Sequence, residues 1–103
     1  DLSHPDLPIH QLVSSAKMCT MCLGNVIWSG IHEVLSSAQP EDVELITGFD
    51  EGPSPQNYDA QLKKRGISII SELLRKEGCA VLHRYVEKSG EIYNPTRTKS
   101  TLY

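Results

Sequence analysis

The chain has 103 residues and a formal net charge of −3, so it forms one domain at most and lacks the basic balance that a nucleic-acid partner requires. No stretch approaches the roughly 20 apolar residues that cross a bilayer, and we expect a cytoplasmic protein without a membrane partner. Three cysteines, an odd number, favour a metal or redox site in a reducing compartment over a disulfide framework.

The first half of the chain predicts two strands and two helices. A pair of apolar residues before two serines indicates a short buried strand over residues 11–15. Apolar residues among small ones indicate a buried helix over residues 19–29, and a second apolar pair indicates a strand over residues 33–37. Proline and two acids then predict the first turn of a helix over residues 40–47, because they suit the free N–H groups and the positive end of the helix dipole.

The second half begins with a loop, since residues 48–55 contain two glycines and two prolines. A short helix over residues 58–65 follows, and then a strand over residues 67–71 that is rich in β-branched side chains. A last helix is predicted over residues 74–88. On this helix one stripe of residues recurs at helical spacing and is predicted to face a core: Leu74, Gly78, Val81, Leu82 and Tyr85.

Strands that alternate with helices indicate a single α/β domain, residues 1–103, with a largely parallel sheet. Three strands are few for such a sheet and the chain opens on Asp1, so we expect further strands upstream. The tail, residues 91–103, contains Tyr93, Leu102 and Tyr103, which is more apolar than a solvated tail needs. We predict that this tail docks onto a neighbouring subunit and that the protein is a homodimer.

Cys19 and Cys22 form a Cys-x-x-Cys pair at the predicted start of the first helix, near N–H groups that favour thiolate over thiol. Such a pair has several interpretations: a redox dithiol, half of a structural zinc site, half of a catalytic zinc site, or two buried thiols without function. No second Cys-x-x-Cys and no nearby His-x3-His follows, which argues against a complete structural zinc site in the chain. Cys79, on the last predicted helix, is most simply a buried thiol.

A longer pattern narrows these interpretations. Residues 12–31 (LVSSAKMCTMCLGNVIWSGI) resemble the strand, turn and helix of the cytidine and guanine deaminase superfamily, whose signature is Pro-Cys-x-x-Cys paired with an upstream His-x-Glu. Residues 48–53 (GFDEGP) and 92–94 (IYN) are similar to segments of guanine deaminases. The resemblance implies a cytidine deaminase-like fold with three layers, α/β/α, around a central mixed sheet, of which the N-terminal strands and helix are missing here.

The resemblance also implies a chemistry. Zinc held by Cys19, Cys22 and a third protein ligand would activate a water that hydrolyses guanine to xanthine and ammonia. The expected partner is therefore a small nucleobase. The family's glutamate from His-x-Glu moves protons, and further acids read the guanine edge. Asp50 is a candidate for substrate binding and Glu51 for proton transfer as the amine leaves, and a solvated acidic loop is the alternative for this pair.

Three aromatic residues are candidates for substrate binding, and a fourth, Tyr103, is considered together with the third. Trp28 either forms a pocket wall behind the metal or packs in the core. Phe49 either stacks on a purine ring or plugs its loop into the core. Tyr93, together with Tyr103, either closes the pocket, as C-terminal segments of guanine deaminases do, or lies in an unpacked tail.

Two departures from the family pattern lead to other interpretations. Lys17 and Met18 stand where the family has Glu-Pro, so no proline fixes φ before the ligand helix, and a lysine beside two thiolates would lower their pKa. No His-x-Glu within a predicted helix precedes the cysteines. His-Pro-Asp at residues 4–6 resembles the motif in spacing, but it contains a proline, and His10 lies just before a predicted strand. The alternatives are a non-catalytic zinc or thiol protein with a decayed site, a pyrimidine or nucleoside deaminase, and a dithiol redox protein.

Overall fold

The computed structural model describes residues 2–93, and the predicted order of strands and helices is present there. In chain order these elements are β1 (Gln11–Ala16), α1 (Thr20–Ser29), β2 (Glu33–Ala38), α2 (Pro40–Thr47), α3 (Tyr58–Lys64), β3 (Ser68–Ile70) and α4 (Arg75–Glu87). No helix in this part of the chain is long and apolar enough to cross a membrane. The predictions for Tyr103 and most of the tail concern residues 94–103, which lie outside the described residues.

The three described strands form one parallel sheet in the order β1-β2-β3, as predicted. The register places Leu12, Val34 and Ile69 side by side. Because successive residues of a strand point to opposite faces, this row of apolar side chains faces one layer of helices. The sheet therefore has an apolar row on which a core can form.

The core lies between this row and the helices α1 and α3. Leu23 and Val26 of α1 are 5% and 4% exposed, and Leu62 of α3 is fully buried. On the outer side of α1, Met21 and Trp28 are 73% and 85% exposed. The prediction of a buried helix is therefore wrong for this side, because only one side of α1 meets the sheet.

The opposite face of the sheet is only partly covered. Val13, Leu35 and Ile70 lie side by side here, and Val13 is 66% exposed. α4 packs against α2 and across β2, and it leaves an apolar groove between itself and the sheet. α4 has no buried residue, and Val81 of its apolar stripe is 61% exposed. The prediction that this stripe faces a core is wrong: Val81 and its neighbours line an open groove.

α4 is held against α2 and β2 at two points. The guanidinium of Arg75 donates from Nε to Asp42 Oδ2 at 2.7 Å and from Nη2 to Oδ1 at 2.9 Å. These bonds, together with one from the N–H of Gln39, hold the pKa of Asp42 well below its ordinary range. Further along α4, Gly78 lies so close to Ser37 that an added Cβ would be 2.3 Å from Oγ. The position of α4 thus depends on one ion pair and one close backbone approach.

Candidate metal centre

Both cysteines lie at the carboxyl edge of the sheet, just beyond β1. The last residue of β1, Ala16, pairs with Ala38, and the N–H of Lys17 donates to the Ala38 carbonyl at 2.8 Å. The chain then turns into α1, whose N-cap is Cys19 with extended backbone at φ −70° and ψ 173°. In parallel α/β sheets, ligands collect at this edge because strand ends and helix starts meet there. The fold therefore places the cysteines where binding chemistry is expected.

The two thiols are neighbours in the first turn of α1. The N–H of Leu23 donates to the Cys19 carbonyl at 2.9 Å, which closes the turn that carries Cys22. A hydrogen bond with Cys19 and charge repulsion from it raise the pKa of Cys22, and burial adds to the shift. This direction is opposite to the predicted lowering by the helix N-terminus and Lys17, because two like groups this close oppose each other's ionisation.

The donor set fits two positions of a zinc site. Thiolates are preferred zinc ligands, and a dication between two sulfurs removes the repulsion that keeps Cys22 protonated. Among residues 2–93, no group of three His, Cys, Asp or Glu side chains could hold a metal ion. The described residues thus offer Cys19 and Cys22 to a metal but no third ligand.

The loop after α2 brings a carboxylate to the cysteines. The hydroxyl of Thr20, in the first turn of α1, donates to the Pro53 carbonyl and ties this loop to the helix. Glu51 is half-buried, and its charge contributes to the raised pKa of Cys22. Burial raises the pKa of Glu51 itself, and the charges of two neighbouring carboxylates add to the effect. A carboxyl group that holds its proton more tightly than usual therefore lies close enough to Cys22 to act on it through its charge.

Local hydrogen bonds fix the shape of the same loop around Phe49 and Asp50. The N–H of Phe49 donates to Thr47 Oγ1 at 3.1 Å, and the Phe49 side chain is half-buried. Asp50 is exposed, and its Oδ1 accepts a hydrogen bond from the N–H of Gly52 at 2.8 Å. The φ of Gly52 is 73°, a conformation that favours glycine. The loop thus presents Asp50 to solvent next to the half-buried Glu51.

A contact that the sequence did not indicate supports the turn before Cys19. Lys17 Nζ donates to Asp59 Oδ1 at 2.8 Å and lies 4.4 Å from the centre of the Tyr58 ring. The Tyr58 hydroxyl in turn donates to the carbonyl of Met18 at 3.3 Å. Lys17 is therefore paired with a carboxylate rather than available to two thiolates. No local pattern signals this contact, because its partners are 40 and 42 positions apart in the chain.

Trp28 and His10 lie away from the cysteines, and Tyr93 is exposed. Trp28 is six residues beyond Cys22, about 9 Å along the helix axis, and it lines a separate cleft with His32. The expectation that Trp28 packs in the core is wrong, since it is 85% exposed. His10 precedes β1, at the opposite end of that strand from the cysteines, and its N–H donates to His32 Nδ1. Tyr93, the last described residue, is 73% exposed.

Solved structures provide the comparison, since no protein-family model and no curated protein matches this chain. Guanine deaminase from Nitrosomonas europaea is 49% identical, with a TM-score of 0.78, over 82% of this chain and 46% of that chain. A mutant of NE0047 in complex with 8-azaguanine gives the same identity and TM-score over 82% of this chain and 47% of that chain. NE0047 in complex with 2,6-diaminopurine is 47% identical over 93% of this chain and 50% of that chain, with a TM-score of 0.80. The resemblance to guanine deaminases is confirmed.

The similarity to guanine deaminases also confirms the predicted fold class. The chain spans about half the length of these solved deaminases and has the cytidine deaminase-like α/β fold of the part that it matches. The parallel sheet and the two cysteines at its carboxyl edge lie within this fold. The roles of the individual site residues stay predictions.

Proposed function

We propose that this chain is part of a zinc-dependent aminohydrolase that converts guanine to xanthine and ammonia. The observation that carries the proposal is the placement of Cys19 and Cys22 at the carboxyl edge of the sheet, with Glu51 near enough for its charge to raise the pKa of Cys22. The similar solved proteins support the substrate class, since one is named a guanine deaminase and two hold 8-azaguanine and 2,6-diaminopurine, both amino-bearing purine analogues. Bound zinc would supply a hydroxide at neutral pH.

Three residues of the loop after α2 have a proposed role in the reaction. Glu51 exchanges a proton with the leaving amine, because a carboxyl group with a raised pKa releases and regains its proton closer to neutral pH. Asp50 accepts hydrogen bonds from the exocyclic amine or the ring N–H of guanine, since its carboxylate is exposed at the same loop. Phe49 stacks on the purine ring. Trp28 and Tyr93 would contact the base only if a second chain, or a segment other than residues 2–93, brought the base to them.

The third zinc ligand and the general base of the signature His-x-Glu are proposed to come from a polypeptide segment other than residues 2–93. This follows from the donor set, because those residues hold no group of three ligand side chains. Alone, the 103-residue chain is therefore expected to bind zinc through two sulfurs and to release no ammonia.

The test is to supply the second half of the site as a separate polypeptide. We would mix the chain and zinc with the part of Nitrosomonas europaea guanine deaminase that this chain does not match, confirm association by gel filtration, and measure ammonia from guanine, cytosine and cytidine. Ammonia from guanine alone is expected, lost in Cys22→Ala and retained in Cys79→Ala, the matched control. Ammonia from cytosine or cytidine would instead support a pyrimidine or nucleoside deaminase.

An associated complex that binds zinc and releases no ammonia would contradict deamination by this chain and favour the non-catalytic zinc or thiol protein. The absence of a third ligand among residues 2–93 is the observation that favours this second candidate. Reversible oxidation of Cys19 and Cys22 without zinc binding would favour the dithiol redox protein. A mass spectrum of the chain with and without reductant separates these outcomes.

We further propose a homodimer and a cytoplasmic location. The homodimer is supported by large apolar side chains at the surface, among them Val13, Met21, Leu45 and Val81, each at least 61% exposed. Sedimentation equilibrium is expected to give twice the mass of one chain, and a single-chain mass at all concentrations would contradict the dimer.

A further inference from the structure

We propose that Lys17, Tyr58 and Asp59 form a lysine clamp that positions the metal-binding cysteines, so that removing its charge pair weakens zinc binding. The inference rests on the proposed role of Cys19 and Cys22 as zinc ligands and extends it to three residues that touch neither the metal nor a substrate. They are positioning residues, and they act through the backbone between β1 and α1.

The first part of the argument is that residue 17 is anchored at both ends. Its N–H donates to the Ala38 carbonyl at the end of β2, at 2.8 Å. Its ammonium group donates to Asp59 Oδ1 at 2.8 Å, and the Lys17 side chain is only 12% exposed while that of Asp59 is 44% exposed. A lysine held in this way spans from the sheet to the start of α3.

The second part is that residue 18 is anchored as well. The Met18 side chain is buried in the core at 8% exposure, and its carbonyl accepts a hydrogen bond from the Tyr58 hydroxyl. A phenol is protonated at neutral pH, so the Tyr58 hydroxyl is available to donate this bond. The lysine ammonium lies over the same ring and orients it.

The third part is that Cys19 follows these anchored residues directly. The backbone that enters Cys19 is held at the Lys17 N–H, the Lys17 ammonium and the Met18 carbonyl, so little freedom is left to the backbone that carries the Cys19 side chain. Preorganised ligands lose less conformational entropy when they bind. Met18 lacks the pyrrolidine ring by which a proline at this position would fix φ. The lysine clamp restrains the backbone here through side-chain contacts instead.

The experiment measures zinc affinity of the full chain by competition with a chromophoric chelator. Lys17→Met and Asp59→Asn are each expected to weaken zinc binding about tenfold, the lower end of the effect of residues that support metal ligands. Lys17→Arg is expected to restore most of the affinity. The double variant is expected to bind no more weakly than either single variant, because both remove one interaction.

The control separates positioning from general stability. Arg75→Met removes another ion pair, on the far face of the sheet, and is expected to lower the melting temperature while the zinc dissociation constant stays unchanged. Equal zinc affinity of Lys17→Met and the wild type would overturn the lysine clamp. A loss in Arg75→Met as large as that in Lys17→Met would overturn it too.

A second readout needs no metal and distinguishes this proposal from the proposed function. If Cys22→Ala binds zinc with unchanged affinity, Cys22 is not a ligand and the proposed site fails. The lysine clamp is then judged by hydrogen exchange at the Leu23 N–H, which is bonded to the Cys19 carbonyl. Faster exchange in Lys17→Met than in Arg75→Met is expected, and an unchanged rate would overturn the lysine clamp.

Discussion

At the scale of single residues, the position of a proton on Glu51 links the structure to the proposed chemistry. Glu51 is half-buried and its charge acts on Cys22, whereas Asp50 is exposed one residue earlier. Different surroundings can give two adjacent carboxyl groups different roles in one site. Because burial raises the pKa of Glu51, we propose Glu51 for proton transfer and the exposed Asp50 for accepting hydrogen bonds.

This division predicts different kinetic effects for two conservative substitutions. Glu51→Gln keeps the shape and removes the titratable proton, so kcat for guanine in the reassembled complex is expected to fall by roughly 10² or more. Asp50→Asn is expected to raise KM more than it lowers kcat, because it removes a binding contact. Steady-state ammonia release measures both constants, and an unchanged kcat in Glu51→Gln would contradict its role.

At the scale of helices and strands, the contact between α2 and α4 depends on the charge of one carboxylate. The pKa of Asp42 is held below its unfolded value of about 3.9 by Arg75. A group whose pKa is lower in the folded state adds stability above its unfolded pKa and loses it as pH falls toward the folded value. The α2–α4 contact is therefore expected to be strongest above about pH 4.

We predict that Asp42→Asn lowers the free energy of unfolding near neutral pH and that this difference shrinks progressively as the pH falls below about 4. Urea denaturation at a series of pH values measures the difference. Asp6→Asn is the control, because the Asp6 side chain is 91% exposed in the loop before β1. A pH-independent difference for Asp42→Asn would show that charge is not the source of the stability.

Two helical glycines provide a second comparison. In α1, a Cβ on Gly24 would meet nothing within 4 Å, so Gly24→Ala is expected to stabilise the protein by up to about 1 kcal/mol through helix propensity. In α4, a Cβ on Gly78 would lie 2.3 Å from Ser37 Oγ and 3.1 Å from Ser37 Cβ. The Ser37 hydroxyl would then have to leave the Leu74 carbonyl, to which it donates at 2.9 Å.

Gly78→Ala is therefore expected to destabilise the protein by about 1–3 kcal/mol despite the better helix propensity of alanine. Urea denaturation of both variants, without metal, measures the two signs. Stabilisation by both substitutions would mean that α4 moves freely away from β2.

At the scale of the whole molecule, the two faces of the sheet are unequal. One face is closed by α1 and α3, and Leu62 is fully buried there. The other face is an open groove in which Val81 is 61% exposed. For a single chain in solution, Leu62→Ala is expected to cost about 2–5 kcal/mol, and Val81→Ala less than about 0.5 kcal/mol.

Equilibrium denaturation at several protein concentrations measures the loss of unfolding free energy in Leu62→Ala and in Val81→Ala. If Val81→Ala becomes costly only at high concentration, the groove is where two copies meet. A large cost at every concentration would contradict an open groove. Leu62→Ala serves as the reference for a residue that is buried in one chain.

The order and bounds of the elements were predictable because each signal is local. Prolines, glycines and the alternation of apolar residues mark the ends of α1, α2 and the strands within short windows, and Gly30 and Gly48 adopt the left-handed conformation that ends a helix. The Cys-x-x-Cys pair is local in the same sense. The fold and the two sulfur ligands could therefore be proposed from the sequence.

Distances across the fold were not predictable from periodicity. The apolar stripe predicted which side of α4 is apolar but not the distance between α4 and the sheet. That distance depends on the ion pair between Arg75 and Asp42, which are 33 positions apart in the chain. The charge of Lys17 was predicted to act on its neighbours in sequence, whereas its partner is Asp59. Likewise, the apolar character of Trp28 predicts burial, but the sequence does not tell which side of α1 meets the sheet.

The parallel pairing of β1 with β2 has a consequence for how the chain folds. Parallel strands cannot be joined by a tight hairpin, so the sheet closes only after the α1 crossover has formed. Tyr58 and Asp59 reach Met18 and Lys17 across separations of 40 and 42 residues, and such long-range contacts form slowly. On a ribosome, which releases the chain from its N-terminus, Cys19 and Cys22 emerge well before the residues that support them. During that interval the thiols are open to oxidants and to stray metal ions, so only a reducing environment at the time of synthesis would protect them before the fold does.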